Sequence, residues 1–257
     1  INDLFPLDWN AFFIGRDEEY LKAPADALKL SFFSEAANLD VVYTPRFDAN
    51  RFPDNQRISQ WNPVGGMRIG DEVDMRIDQP DDGFRDDEIA LRFYRNLHGY
   101  ECALYAYRGY WKDPKGFDMR TQRATFPDLS VLGASVRGTI GPGIGNVEVG
   151  YYDSADDRGG DDWLVPNSQF RFLVGYEQEI ARDFTAGLQY YLEYMDEYGV
   201  YERNQPPGYP LADEDRHVLT LRLTKLLLQQ NLTLSLFAYW SPSDSDAYLR
   251  PRAHYKV

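Results

Sequence analysis

A single cysteine, Cys102, excludes a disulfide framework and any cysteine-based metal or haem motif. Histidine is nearly as scarce, with only His98, His217 and His254. A His254 hydrolase dyad would need a nucleophile within hydrogen-bond reach, but Ser241, Ser243 and Ser245 are displaced along the chain. No Gly-x-Ser-x-Gly elbow occurs either. The run Gly141-Pro142-Gly143-Ile144-Gly145 lacks the Lys-Ser/Thr ending and following helix of a phosphate loop. The expectation is therefore a non-enzyme with no cofactor. No apolar run approaches the roughly 20 residues of a transmembrane helix. Positive charge is in deficit: 27 Lys and Arg face 41 Asp and Glu, a net charge of −14. That argues against nucleic acid, which is held by basic patches. No leader peptide is visible; secretion would remove one, so nothing follows from this.

What the chain does have is aromatic residues and alternation. Aromatics make up 15% of it, with 19 Tyr and 5 Trp. In Arg216–Trp240, Leu219, Leu221, Leu223 and Leu227 share one face of a strand, and Thr220, Arg222 and Thr224 share the other. The pattern resumes after Gln229-Gln230, with Leu232, Leu234, Leu236, Ala238 and Trp240 set against Thr233, Ser235, Phe237 and Tyr239. Side chains alternate along a strand, so this is a hairpin with one apolar and one mostly polar face. Strands of roughly 9–11 residues with that alternation mark a transmembrane β-barrel. A mean hydropathy of −0.54 does not conflict with this, because only half of each strand must be apolar.

The same rhythm covers most of the chain. Strands are expected at Leu28–Ser34, Leu39–Phe47, Ile89–Leu97, Tyr100–Trp111, Val131–Ile140, Asn146–Ser154, Ser168–Ile180, Phe184–Met195, Arg216–Leu228, Asn231–Trp240 and Ala247–Val257. Tyr100–Trp111 is ambiguous, since Tyr105 and Tyr107 compete with Leu104 and Ala106 for the outer face. Short turns at 96–99, 141–145, 181–183 and 229–230 alternate with long polar connections at 112–129, 155–167 and 196–215. A Greek-key sandwich has no reason to keep that order, whereas an outer-membrane barrel does. The fold class expected is an all-β, antiparallel transmembrane β-barrel, a single domain over 1–257 with a long polar loop insertion at 48–87. Eleven strands is an odd count, and single-chain bacterial barrels run even. Further strands are therefore expected beyond both ends.

Several segments resemble a family of poorly characterised porin-like outer-membrane proteins of proteobacteria. They are Ile1–Trp9, Arg16–Pro24, Tyr43-Thr44-Pro45-Arg46-Phe47 and Asp246–Arg252. The resemblance covers the ends better than the middle. It implies a barrel in the bacterial outer membrane and supplies no catalytic residues.

If the apolar faces meet lipid, the opposite faces carry the chemistry. Arg250, Arg252, His254 and Lys256 share one face of the last strand, and Arg92, Arg137, Arg171 and Arg222 would face inward with them. Glu148, Glu177, Glu179 and Glu193 join the set. Opposed charges across a constriction filter ions and polar solutes. The competing reading is that these groups only satisfy one another. Asp153, Asp156, Asp157, Asp161 and Asp162 form a glycine-containing acidic loop. It is a weak divalent-cation candidate, because EF-hand spacing and the closing Glu are missing. The function expected is passive passage of small polar or ionic solutes, with lipid or lipopolysaccharide outside. Two alternatives stand beside it. One is a docking barrel sheathing a protein partner such as a periplasmic carrier or cytochrome. The other is a soluble carbohydrate-binding β-sandwich.

Overall fold

The computed structural model describes residues 26–50, 59–62, 67–70 and 76–256. The resembling segments Ile1–Trp9 and Arg16–Pro24 lie outside these. In chain order the strands are β1 (Leu28–Phe32), β2 (Asn38–Thr44), β3 (Gln60–Asn62), β4 (Met67–Ile69), β5 (Ile77–Asp78), β6 (Glu88–Leu97), β7 (Tyr100–Tyr110), β8 (Gly116–Asp118), β9 (Arg123–Thr125), β10 (Asp128–Ile140), β11 (Gly143–Ser154), β12 (Gln169–Ala181), β13 (Phe184–Met195), β14 (Asp215–Leu227), β15 (Leu232–Ser241) and β16 (Asp246–Tyr255). One helix, α1 (Tyr198–Asn204), lies between β13 and β14.

Eleven strands form one antiparallel sheet in the order β1-β2-β6-β7-β10-β11-β12-β13-β14-β15-β16. Every neighbour in the sheet is the next large strand in sequence, so the chain runs as an up-and-down meander. It is one continuous sheet and not the two packed sheets of a sandwich. Each of the expected strands is present, with ends shifted by a few residues; the largest shifts end β2 earlier, at Thr44, start β10 earlier, at Asp128, and extend β11 to Gly143, toward its turn with β10. The alternation of short turns with long connections is present too. β5 pairs in parallel with β9, and β9 pairs with β8, so the long segments before β6 and after β7 join in a small sheet of their own.

Register assigns the faces. Leu104, Leu132, Leu188 and Leu249 are 59%, 65%, 56% and 68% exposed, while Glu148, Glu88 and Asp40 are 1%, 4% and 5% exposed. A water-soluble core would show the reverse. β7 is resolved in the same way: Leu104 lies outward, whereas Tyr105 pairs with Arg92, and Tyr107 hydrogen-bonds Glu88 on the inner face. Outward aromatics stand near both ends of the strands. Tyr43, Tyr151, Phe170, Tyr194 and Trp240 lie toward the long loops, and Phe32, Tyr100, Tyr176, Phe184 and Tyr255 toward the short turns. Phe184 and Tyr194 bracket β13. At about 3.3 Å per residue and a tilt of about 40°, their separation along a barrel axis is roughly 25 Å, comparable to the apolar band of a transmembrane barrel.

The β10–β11 turn is held from both sides. The Tyr100 ring lies where a Cβ on Gly138 would project, and the Glu177 carbonyl with the hydroxyl end of Tyr176 lies where one on Gly143 would. The Tyr100 hydroxyl donates to the Thr139 carbonyl at 3.2 Å, and the Tyr176 hydroxyl to the Ile140 carbonyl at 3.1 Å. At the opposite end the chain folds back over the inner face. There Trp111, Leu129, Val131 and Tyr152 form a buried cluster, closed by the Trp111 N–H donating to the Pro127 carbonyl. Beside it Phe47 packs on Phe126 and Tyr110, with ring centroids 4.9 and 5.2 Å apart.

Candidate functional site

The inner face carries its charges in rows set by strand register. Arg171, Glu193 and Arg216 stand directly opposite one another on β12, β13 and β14. Arg171 Nη2 is 3.4 Å from Glu193 Oε1, and Arg216 Nη1 is 3.5 Å from Glu193 Oε2. The Tyr191 hydroxyl donates to the same carboxylate. Arg216 also reaches Asp244 Oδ2 at 2.7 Å and donates to the Tyr239 hydroxyl at 2.8 Å. Arg171 is anchored further by two hydrogen bonds to Gln169 Oε1, at 3.0 and 2.8 Å. Its guanidinium lies 4.0 Å from the Tyr152 ring centroid and 5.6 Å from that of Trp111. On the same indole, 4.4 Å from its centroid, stands Lys115 Nζ. Lys115 keeps water on its side chain yet is ringed by protein. That enclosure, with Arg171 and Arg216 nearby, lowers its pKa against the pull of Asp113 and Glu193.

A second group sits on the first strands. Asp40 accepts from Ser31 Oγ at 2.7 Å and lies 3.1 Å from Lys29 Nζ and 4.0 Å from Arg92. Arg92 in turn bridges to Glu101 at 2.6 Å and covers the Tyr94 ring at 4.1 Å. Arg137 stands opposite Glu101 on one side and Asn146 on the other. A third, smaller group joins Lys112 to Glu88 at 2.5 Å, with the Lys112 ammonium 4.7 Å from the Phe47 ring centroid.

The remaining expected residues fall on the inner face as alternation requires. Glu148 stands opposite Ser135 and Leu173. Glu177 pairs with Gly187, and Gly187 with Arg222; with no side chain between them, the Glu177 carboxylate lies across the glycine. Arg222 and Arg250 flank Phe237 on either side, and Arg252 and His254 face Ser235 and Thr233. Lys256 lies one residue beyond the end of β16, so it is not part of that strand's basic row. The rows thus bring Arg171 to Glu193 and set Arg222 level with Arg250.

The acidic loop is occupied by its own fold. Asp153 is bridged by Arg158, with three hydrogen bonds between 2.9 and 3.0 Å. Asp156 accepts from the Asp128 amide, Asp157 from the amides of Asp161 and Asp162, and Asp162 from that of Leu164. Among the described residues no group of three or more His, Cys, Asp or Glu is arranged to hold a metal ion. His217 points outward and shares a 2.8 Å hydrogen bond with the Tyr190 hydroxyl.

Sequence reasoning missed Lys115, Trp111, Tyr152, Tyr191, Arg216 and Asp244 as members of the site. Tyr191, Arg216 and Tyr152 carry the alternation signal that selected Arg171 and Glu193. Lys115 and Asp244 lie in connections, where no period assigns a face.

No family model matches the chain, and no curated protein does. Among solved structures, a porin superposes with a TM-score of 0.50 at 12% identity, over 94% of this chain. The aligned region is 65% of that porin's own length. At this identity the likeness speaks for the fold alone: the chain has a porin-like antiparallel β-barrel architecture.

Proposed function

We propose that this chain is a channel-like barrel of a bacterial outer membrane, passing small polar or ionic solutes by diffusion. The observation that carries the reading is the division of faces. Along the middle of the strands the outward positions are mostly apolar, with Leu104, Leu132, Leu188 and Leu249 exposed, while the paired and rowed charges of Arg92, Glu101, Arg171 and Glu193 lie on the inward side. Charge on a lipid-facing side is costly, whereas charge facing water in a lumen selects among solutes. The Arg222, Arg250 and Arg252 rows on β14 and β16, with Glu177 on β12, supply a lateral gradient of charge along the inner face.

The test is reconstitution of the full-length protein in planar bilayers. Stepwise conductance is expected, and its absence would sink the channel reading. Replacing Arg250 and Arg252 together by Gln is expected to move the reversal potential in a salt gradient toward cation preference.

A further inference from the structure

Lys115 stands at the loop end of the inner face, over the Trp111 ring. Among the described residues its side chain makes no ion pair or hydrogen bond; the ammonium lies over the Trp111 ring and the residue is exposed, while its backbone amide donates to the Asp113 carbonyl at 2.8 Å. Two of its charged neighbours are arginines. Arg171 lies over the same indole, and Arg171 and Arg216 share the single carboxylate of Glu193. Asp244 answers Arg216 from its far side, at 2.7 Å. The corner holds three cations, Lys115, Arg171 and Arg216, and three carboxylates: Glu193 and Asp244 are on the arginines, and Asp113, near Lys115, accepts from Asn50 Nδ2 at 2.9 Å. Of the three cations, Lys115 is the one with no carboxylate of the described residues within ion-pair distance, and its side chain is open to water.

Rigidity matters as much as sign. Trp111 is 4% exposed and Tyr152 fully buried, so the platform beneath the two cations is packed. The Trp111 Nε1–H is directed to Ser154 Oγ at 3.4 Å, and Ser154 is itself buried. A fixed aromatic floor holds Lys115 near Arg171 at no further ordering cost when an anion arrives, which is the condition for useful affinity in a wet site.

We propose that Lys115, on the Trp111 platform beside Arg171 and Arg216, forms an oxyanion subsite that takes small phosphate- or carboxylate-bearing solutes from the long-loop side. This deepens the channel reading and rests on it for the solute's onward passage, although binding itself can be read without conduction. The ammonium would donate to the anion's oxygens, while Arg171 and Arg216 contribute field and stay on Glu193.

Two measurements on the full-length protein separate the readings. In detergent, inorganic phosphate and, separately, succinate are titrated while tryptophan emission is followed, since an anion on Lys115 changes the charge 4.4 Å from the Trp111 ring. A saturable change is expected, lost in W111F, weakened about tenfold in K115Q and restored in K115R. In bilayers, phosphate added on the long-loop side should block chloride current, with the half-blocking concentration raised about tenfold by K115Q. A response to phosphate alone or to succinate alone names which oxyanion the corner takes. Conductance without any saturable response, or a response unchanged in K115Q, overturns the subsite. A saturable, Lys115-dependent response in a protein that never conducts overturns the channel and leaves the subsite standing.

Discussion

At the scale of single residues, the inner face shows how much a carboxylate's surroundings decide its role. Glu193 is held between two arginines and a tyrosine hydroxyl and is spent on positioning them. Asp118, in the small sheet of the long loops, is spent on a turn: it accepts from the Thr121 hydroxyl at 2.9 Å and from the Arg120 amide at 2.8 Å. The Thr121 hydroxyl above all, then the Arg120 amide, holds its carboxyl below the usual value of 3.8. Since the folded pKa is the lower one, the contribution of this turn is complete above about pH 4 and fades as pH falls through the folded value. Amide exchange at Arg120 and Thr121 should therefore accelerate only in acid below the ordinary aspartate range, and D118N should remove that dependence. Residues of this kind were partly legible in sequence. Arg171, Glu193 and Arg222 could be placed by a period of two. Lys115, Asp118 and Asp244 could not, because a connection has no period and its side chains are placed by whatever the loop folds against.

At the scale of elements, the strands were legible almost completely, and for one reason. A barrel strand must alternate along its length, and here the apolar set survives even where polar and aromatic residues mix. β7 needed the structure, because Tyr105 and Tyr107 are amphipathic and fit either face, and their hydroxyls find Ser135 and Glu88 on the inner side. α1 left no sequence signal. Its cap residue, Glu197, is in the left-handed region with φ 54° and gives no side-chain cap, and its first turn carries no acidic residue. Gly199 and Val200 are weak helix formers, and none of its residues is buried, so neither propensity nor an apolar stripe marks it. The strand tips offer a sharper test. Adding a methyl group at Gly138 would press into the Tyr100 ring. G138A is expected to lower stability by about 1–3 kcal/mol in urea unfolding from vesicles. Y100A in the same background should recover part of that loss, as a double-mutant cycle would show.

At the scale of the whole molecule, the decisive property is which solvent each face meets. Leu104 is central on β7 and 59% exposed, so it is expected to meet hydrocarbon. L104R should destabilise the vesicle-folded protein by about 2–4 kcal/mol, whereas L104A should cost far less. Equal stability of L104R and wild type would place that face in water and overturn the membrane assignment. The meander and the outward band were readable from sequence because they repeat. The return of the long loops over the inner face was not, since it depends on single contacts such as Phe117 N–H donating to the Leu164 carbonyl at 3.1 Å. The apolar cluster of Trp111, Leu129 and Val131 on a face expected to be mostly polar follows from that return.

The tyrosines gripping the β10–β11 turn settle an ambiguity that alternation leaves open. Sliding one strand by a single residue turns its leucines into the lumen, so face chemistry forbids every odd slip. A slip of two residues returns each side chain to its proper side and leaves the backbone ladder intact, so face chemistry is blind to it. Tyr100 is not blind to it: its ring fits at Gly138, while two residues away it would meet the side chain of Val136 or the end of the strand at Ile140. Tyr176 reads Gly143 with its hydroxyl end from the other side. Leucines and charges thus fix the register modulo two, and these two ring-and-glycine fits supply the missing parity-preserving digit, converting a repetitive sheet into one with a single address for each strand.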